Sequence, residues 1–375
     1  MQDTTITHIS LNETEPCRAA DDFTNDANTE VQRHLADPAW LVRGNPDHPE
    51  HDALGLRNPQ GVQLPELAII GGSQVYGEGL APGQSWPAKL GQRMGGGVLN
   101  AGMAGWGSVQ YAMAGEMLTA LAPRRVIICL TPANDLAKAF NCARVSTAPL
   151  ARSFFEPAWV KLPQPDYSAQ FNAGRAVDQL SAENPALSHE DVLALLAQRG
   201  ESDINPCVLD TSRFYLSEHT LLAMQDLEHP AIEAGLSITA KALAHLQRLS
   251  EKHYFSLTAL LLPSREYLVS QRLEEVQVRD RESLERLGLV EAAVLAELRA
   301  CCAALGMRCF DLTGFLKAFV GNRIHVQNSR QDLLSAKGCE LLARFVRERV
   351  LPGTFVREPA RSDMGAAVGG IYPSY

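Results

Sequence analysis

Ser73 stands in the run Ile69-Ile70-Gly71-Gly72-Ser73-Gln74-Val75-Tyr76-Gly77-Glu78-Gly79, where an apolar segment, Leu67-Ala68-Ile69-Ile70, stops at two glycines. Glycines beside a serine let the backbone turn sharply and leave the hydroxyl uncovered. A serine so presented attacks a carbonyl when a base takes its proton and hydrogen-bond donors hold the resulting oxyanion. Two later segments are candidates to help it. One is the glycine loop Asn100-Ala101-Gly102-Met103-Ala104-Gly105-Trp106-Gly107; the other is Leu130-Thr131-Pro132-Ala133-Asn134-Asp135, which follows a strongly apolar run. Asn134 offers an amide that donates without adding a titrating group. Each segment alone is ordinary turn material; the three in succession are not. No Gly-Lys-Ser/Thr follows any of the glycine loops, and the glycines around Ser73 lack the G-x-G-x-x-G register, so neither nucleotide fingerprint applies.

The elements that must position these residues alternate. Strands are expected at 67–71, 97–100, 125–131, 256–262 and 307–311, and helices at 85–94, 107–121, 236–253, 281–305 and 336–350. Runs such as Val126-Ile127-Ile128-Cys129-Leu130 are apolar on both faces, as a parallel sheet covered by helices on both sides requires. The expected fold is therefore a three-layer α/β/α, doubly wound, mainly parallel five-stranded sheet. In such sheets ligands bind outside the carboxyl ends of the strands, where Ser73 falls. The rhythm breaks between about 140 and 235, a proline- and aromatic-rich stretch expected to form an inserted cap over that end. The boundaries read as an irregular segment at 1–52, a core at 53–140 and 236–355, the cap at 141–235 and a tail at 356–375.

With these residues in order, the chain resembles the SGNH (GDSL-like) hydrolase family, whose blocks contribute Ser, Gly, Asn and His. Ala53-Leu54-Gly55-Leu56-Arg57-Asn58 is similar to a segment found upstream of the serine in longer members, and Gln110 also falls where members carry glutamine. The resemblance implies an SGNH-hydrolase-like fold with Ser73 as nucleophile. It also implies an oxyanion hole made of the Ser73 and Gly102 N–H groups and the Asn134 amide. Tyr76 and Trp106 become candidate pocket residues. Arg265, in Leu261-Leu262-Pro263-Ser264-Arg265-Glu266, becomes a candidate for a polar group at the sheet edge, with an ion pair to Glu266 as the plainer alternative. Gly72 departs from the Asp or Asn that usually precedes the serine.

The last block of the family is D-x-x-H ahead of the final helix. Ser335 and Gly338 fix its register here, which puts Leu333 in the histidine position, Arg330 in the aspartate position and Cys339 in a later histidine position. Leucine takes no proton, so a triad built the family's way is absent. The candidates for a substitute base are His325 on the same loop, His229 in the one D-x-x-H of the chain (Asp226–His229) and Asp332; an ordinary thiol such as Cys339 ionises near pH ~8.5 and is a poor one. Two functions follow from the resemblance. One is a serine hydrolase or acyltransferase acting on a small-molecule ester or acyl substrate with a base from outside the family pattern. The other is a catalytically degenerate member that binds a polar ligand or partner without turnover.

Composition narrows the rest. The chain has 375 residues, 46% hydrophobic and 21% charged, with a net charge of −9 and no basic cluster, which argues against nucleic acid as a partner. No apolar run is long enough to span a membrane, and no leader-like segment opens the chain, so a cytoplasmic location is expected. None of the 8 cysteines forms a C-x-x-C pair, so no metal is expected, and no cofactor. Oligomeric state is not legible.

Overall fold

The computed structural model describes residues 49–58, 61–62, 64–164, 188–198, 205–216, 218–327, 329 and 332–353. Most of the expected N-terminal segment, the tail, Arg330 and much of the expected cap lie outside the described residues.

In chain order the elements are β1 (Leu67–Gly71), α1 (Ser73–Tyr76), α2 (Trp86–Met94), β2 (Val98–Gly102), α3 (Ser108–Thr119), β3 (Arg125–Leu130), α4 (Pro132–Val145), α5 (Pro149–Phe154) and α6 (His189–Gln198). They continue with β4 (Asn205–Leu209), β5 (Ser212–Leu216), α7 (Glu218–Gln225), α8 (Pro230–His253), β6 (Ser256–Leu261), α9 (Arg265–Ser270), β7 (Gln277–Val278), α10 (Arg281–Ala304), β8 (Arg308–Asp311), α11 (Thr313–Lys317) and α12 (Ala336–Phe345).

A five-stranded sheet has the order β2-β1-β3-β6-β8, and every neighbouring pair is parallel. Side chains alternate between its faces with period 2, and this alternation builds two separate cores. Ala68, Ile70, Val126, Ile128, Ala259 and Leu261 join one cluster with α3 and α8. Leu67, Ile69, Ile127, Cys129 and Leu260 join the other with α2 and α12. This is the three-layer, doubly wound α/β/α architecture. β1 is flanked by β2 on one side and β3 on the other, so the chain leaves β1 and β3 in opposite directions. The crevice between their carboxyl ends is the position where open α/β sheets hold ligands.

A second sheet of three strands, β5-β4-β7, is antiparallel. Its hairpin is not detached from the body: Cys207, Leu209, Phe214 and Leu216 belong to the second core cluster. The hairpin is also tied to the segment after α11, through Thr211 N–H to Gly321 O (3.1 Å) and Tyr215 N–H to Ser329 O (3.2 Å). That segment leads directly to Leu333. Among the described residues no helix is long and apolar enough to cross a membrane.

Candidate functional site

β1 ends at Gly71, and Ser73 opens the single helical turn α1 at the carboxyl end of the sheet. Gly72 O accepts from the N–H groups of Val75 and Tyr76 (3.0 Å each), and Gly77, in the left-handed region at φ 81°, closes the turn on Ser73 O (2.9 Å). Ser73 is half-buried. Among the described residues neither its hydroxyl nor its N–H makes a hydrogen bond. Gly72 has a structural reason to be glycine: a Cβ there would stand 3.2 Å from both Trp106 O and the Tyr111 hydroxyl. That hydroxyl donates to Asp135 Oδ1 (3.1 Å) and approaches Trp106 O (3.3 Å), so Tyr111 ties together the loops after β2 and β3.

The glycine loop needs a correction. Gly102 is the last residue of β2, and its N–H donates to Asn100 Oδ1 at 3.0 Å, so it is not open to a ligand. Its lack of a side chain answers to packing, since a Cβ would lie 2.6 Å from Val75 Cβ and 2.7 Å from Tyr76 N. Gly105, at φ 80° in the turn that Trp106 N–H closes on Met103 O, has an N–H with no partner among the described residues. Of the two loop glycines, only Gly105 has an N–H left without a partner among the described residues. The second glycine of Asn100-x-Gly102-x-x-Gly105 was the signal for it.

Asn134 lies in the first turn of α4, which starts at Pro132 because proline at N1 gives up an N–H that has no helical partner. The Thr131 hydroxyl lies 3.2 Å from Asn134 Oδ1, which leaves the amide Nδ2 without a partner among the described residues. Asp135 beside it is structural. It accepts from Thr131 N–H (2.9 Å), the Thr131 hydroxyl (2.9 Å) and Tyr111. Burial pushes its carboxyl up to about 6, against the pull of Lys138 and these hydrogen bonds.

None of the five histidines with described side chains is found hydrogen-bonded to Ser73. His229 is the N-cap of α8, its Nδ1 accepting from Ala231 N–H at 3.2 Å. His51 meets the Tyr76 hydroxyl (3.1 Å), His245 meets Glu116 (3.1 Å), and His253 is exposed in the last turn of α8. His325 is buried with its Nε2 3.6 Å from Asp332 Oδ1. Burial, with the nearby Arg265 guanidinium, holds the imidazole down at about 3. Asp332 is held well above the usual carboxylate range by burial and by Glu266. The pair is therefore a neutral acid facing a neutral ring rather than an ion pair, and 3.6 Å is too long for a hydrogen bond. Burial pushes the Cys339 thiol up to about 12, which removes it as a base.

The loop carrying Leu333 is fixed to the serine turn by a residue with no sequence signal. Gln74, next to Ser73 and 7% exposed, donates from Nε2 to Asp332 O and accepts at Oε1 from Leu334 N–H (3.0 Å). These contacts grip the backbone on either side of Leu333, itself 8% exposed. Gln74→Ala is expected to lose about 2–4 kcal/mol, because two buried backbone groups are left unmet at ~1–3 kcal/mol each. Urea unfolding would measure the loss. Hydrogen exchange should show it as lost protection at Leu334 N–H; unchanged protection there would mean the clasp is not formed.

The remaining expected site residues are packed. Trp106 is in the first core cluster. Tyr76 is 8% exposed and lies under the Arg57 guanidinium, 4.8 Å from the ring centre. Arg265 is fully buried, paired to Glu266 (2.6 Å), donating to Tyr215 O (3.0 Å) and Ser329 O (3.1 Å), and stacked on Phe214 (4.7 Å). It joins α9 to the hairpin and the Leu333 loop; the expected ion pair is real but buried, not solvated.

No family model matches the chain, and no curated protein is similar to it. Among solved structures, one crystal structure aligns with 76% of this chain and 96% of its own at 10% identity, with a TM-score of 0.35. A likeness that slight has no bearing on function.

Proposed function

We propose that this chain is an SGNH-hydrolase-like protein whose crevice binds the carbonyl of a small ester or acyl compound without triad-driven turnover. The observation that carries the reading is the Gln74 clasp. It fixes Leu333, which takes the family's histidine position, beside the serine turn, so the missing base reflects a built loop rather than a displaced one. Losing a triad member leaves rate enhancements of only ~10³–10⁴ over water in serine proteases. Binding survives such a loss because the donors remain: Ser73 N–H, Gly105 N–H and Asn134 Nδ2.

A second reading, an esterase or acyltransferase acting through Ser73, is favoured by the Ser73 hydroxyl, which has no hydrogen-bond partner among the described residues. Stoichiometric labelling by an alkyl fluorophosphonate separates the two. The binding reading expects labelling no faster than that of a free serine and no difference in Ser73→Ala. Rapid labelling lost in Ser73→Ala would overturn it in favour of the enzyme. None of the seven described cysteines forms a disulfide, which suits a reducing compartment and a cytoplasmic location as part of this reading.

A further inference from the structure

We infer that Cys302 and Cys309 form a reversible thiol–disulfide pair, oxidised by a hydroperoxide, that ties the end of α10 to the edge strand β8. The chain reverses between them. Met307 N–H donates to Cys302 O (2.9 Å) and Gly306 N–H to Ala303 O (3.0 Å), with Gly306 in the left-handed region at φ 63°. These two bonds close a helix on a glycine and turn the chain back. β8 then runs back along α10, and their side chains meet in register. Arg299 pairs with Asp311; one helical turn nearer the reversal, Cys302 faces β8 two residues earlier, at Cys309. Both cysteines pack in the first core cluster, and the Cys302 thiol donates to the Cys309 sulfur. The pair lies two strands from the β1–β3 crevice, so its chemistry is separate from carbonyl binding.

The two sulfurs have different tasks. Cys309 is half-buried on a strand that, among the described residues, has a neighbour on one side only. The hydrogen bond from Cys302 lowers the pKa of its thiol against burial and Asp311, and Arg299 acts in the same direction as the bond. Cys302 is fully buried and held protonated by that bond and by burial. Cys301, beside it, is pushed up by burial and by Glu297. An accessible thiol with thiolate character reacts first, and a neighbouring thiol resolves the product.

The oxidation balances with one hydroperoxide. The Cys309 thiolate attacks its terminal oxygen, the O–O bond breaks, and the thiol's proton goes to the departing alkoxide, giving an alcohol, or water from hydrogen peroxide. Cys309 is then a sulfenic acid. The Cys302 sulfur attacks the Cys309 sulfur, the S–O bond breaks, and the Cys302 proton leaves with the hydroxide as a second molecule of water or the first beside an alcohol. A dithiol reverses the change by two exchanges, restoring both thiols and becoming a disulfide itself.

The test is peptide mapping of the full-length reduced chain after brief treatment with hydrogen peroxide and blocking of the remaining thiols with N-ethylmaleimide. Trypsin cuts after Arg299, Arg308 and Lys317, which puts Cys301 and Cys302 in peptide 300–308 and Cys309 in peptide 309–317. The two peptides should appear joined, lighter by two hydrogens and separable by dithiothreitol, with Cys309 consumed about tenfold faster than Cys301. Cys301→Ala should leave the joined peptide unchanged. Cys302→Ala should abolish it and leave a Cys309 sulfenic acid that dimedone captures. If Cys302→Ala fails to fold, Cys301→Ala still decides, because a join in that variant runs through Cys302. No joined peptide in wild type, or a join lost in Cys301→Ala, would overturn the pair.

Discussion

Leu333→His is expected to raise the rate at which Ser73 reacts with an alkyl fluorophosphonate by about 10²–10⁴, the usual contribution of a positioned general base. The expectation follows from where the loop is held rather than from the sequence register alone. Gln74 grips Asp332 O and Leu334 N–H, and Val326 N–H donates to Leu333 O (2.9 Å), so residue 333 is pinned from both sides. Ser73 presents an unpartnered hydroxyl at the start of the same turn that carries Gln74. By the family resemblance the carboxylate that orients such a histidine would come from position 330, which is arginine here. Arg330→Asp added to Leu333→His should therefore raise the rate further. The substitution replaces a buried leucine, so the variant is compared at a temperature where circular dichroism reports it folded. A folded Leu333→His that labels no faster than wild type would mean that residue 333 does not face Ser73, and the family resemblance would lose its last block.

Of the core strands, β1, β3 and β6 were legible because each is apolar on both faces. The chemistry of parallel sheets leaves few other uses for such runs. Helix starts were less legible for one recurring reason. No helix was expected after β3 and one was expected only from 236, yet Pro132 and Pro230 are the first residues of the long helices α4 and α8, with Thr131 and His229 before them as N-caps. That is why Asn134 reads as a turn residue and stands on a helix. The β4–β5 hairpin escaped for another reason. Its strands contain a proline and a short alternation, and its third partner, β7, comes from beyond β6. Of the site, the serine turn and the asparagine were visible as local patterns. The clasp was not, because Gln74 meets residues 258 and 260 positions away and nothing in its own neighbourhood marks it. Gly102 misled because a packing glycine and an oxyanion glycine look alike in sequence; only the bond from Gly102 N–H to Asn100 separates them.

The buried polar cluster behind Leu333 should make stability rise and then fall with pH, with a maximum near pH ~4. His325 governs the acid side. Its folded pKa, about 3, lies below the ordinary value near ~6.5. The stability it contributes is complete above the unfolded pKa and is lost as pH falls toward 3, in total roughly 5 kcal/mol at ~1.4 kcal/mol per unit. Glu291 governs the other side. It is fully buried, accepts from Ser264 N–H (2.6 Å), the Ser264 hydroxyl (2.5 Å) and Gln225 Nε2 (3.1 Å), and is pushed up to about 7 chiefly by burial. A raised carboxyl stabilises fully below its unfolded value near ~4.3, and that stability disappears as pH rises through 7, roughly 3–4 kcal/mol. Asp332, raised for the same reason and by Glu266, adds a loss of the same sign. One buried cation, Arg265, faces Glu266 and Asp332, so the cluster is compact only while some of these carboxyls keep their protons. The protonated form of Glu291 also has a partner waiting, since Gln225 Oε1 has no hydrogen bond and would receive its proton if the amide turned over. His325→Leu should therefore flatten the acid limb below pH ~4, and Glu291→Gln should reduce the slope of the limb between pH ~4 and 7, each read from chemical unfolding across that range. A wild-type stability that is level from pH 4 to pH 8, or a Glu291→Gln variant with the same alkaline slope as wild type, would show that the cluster is solvated and that these protons are not held by the fold.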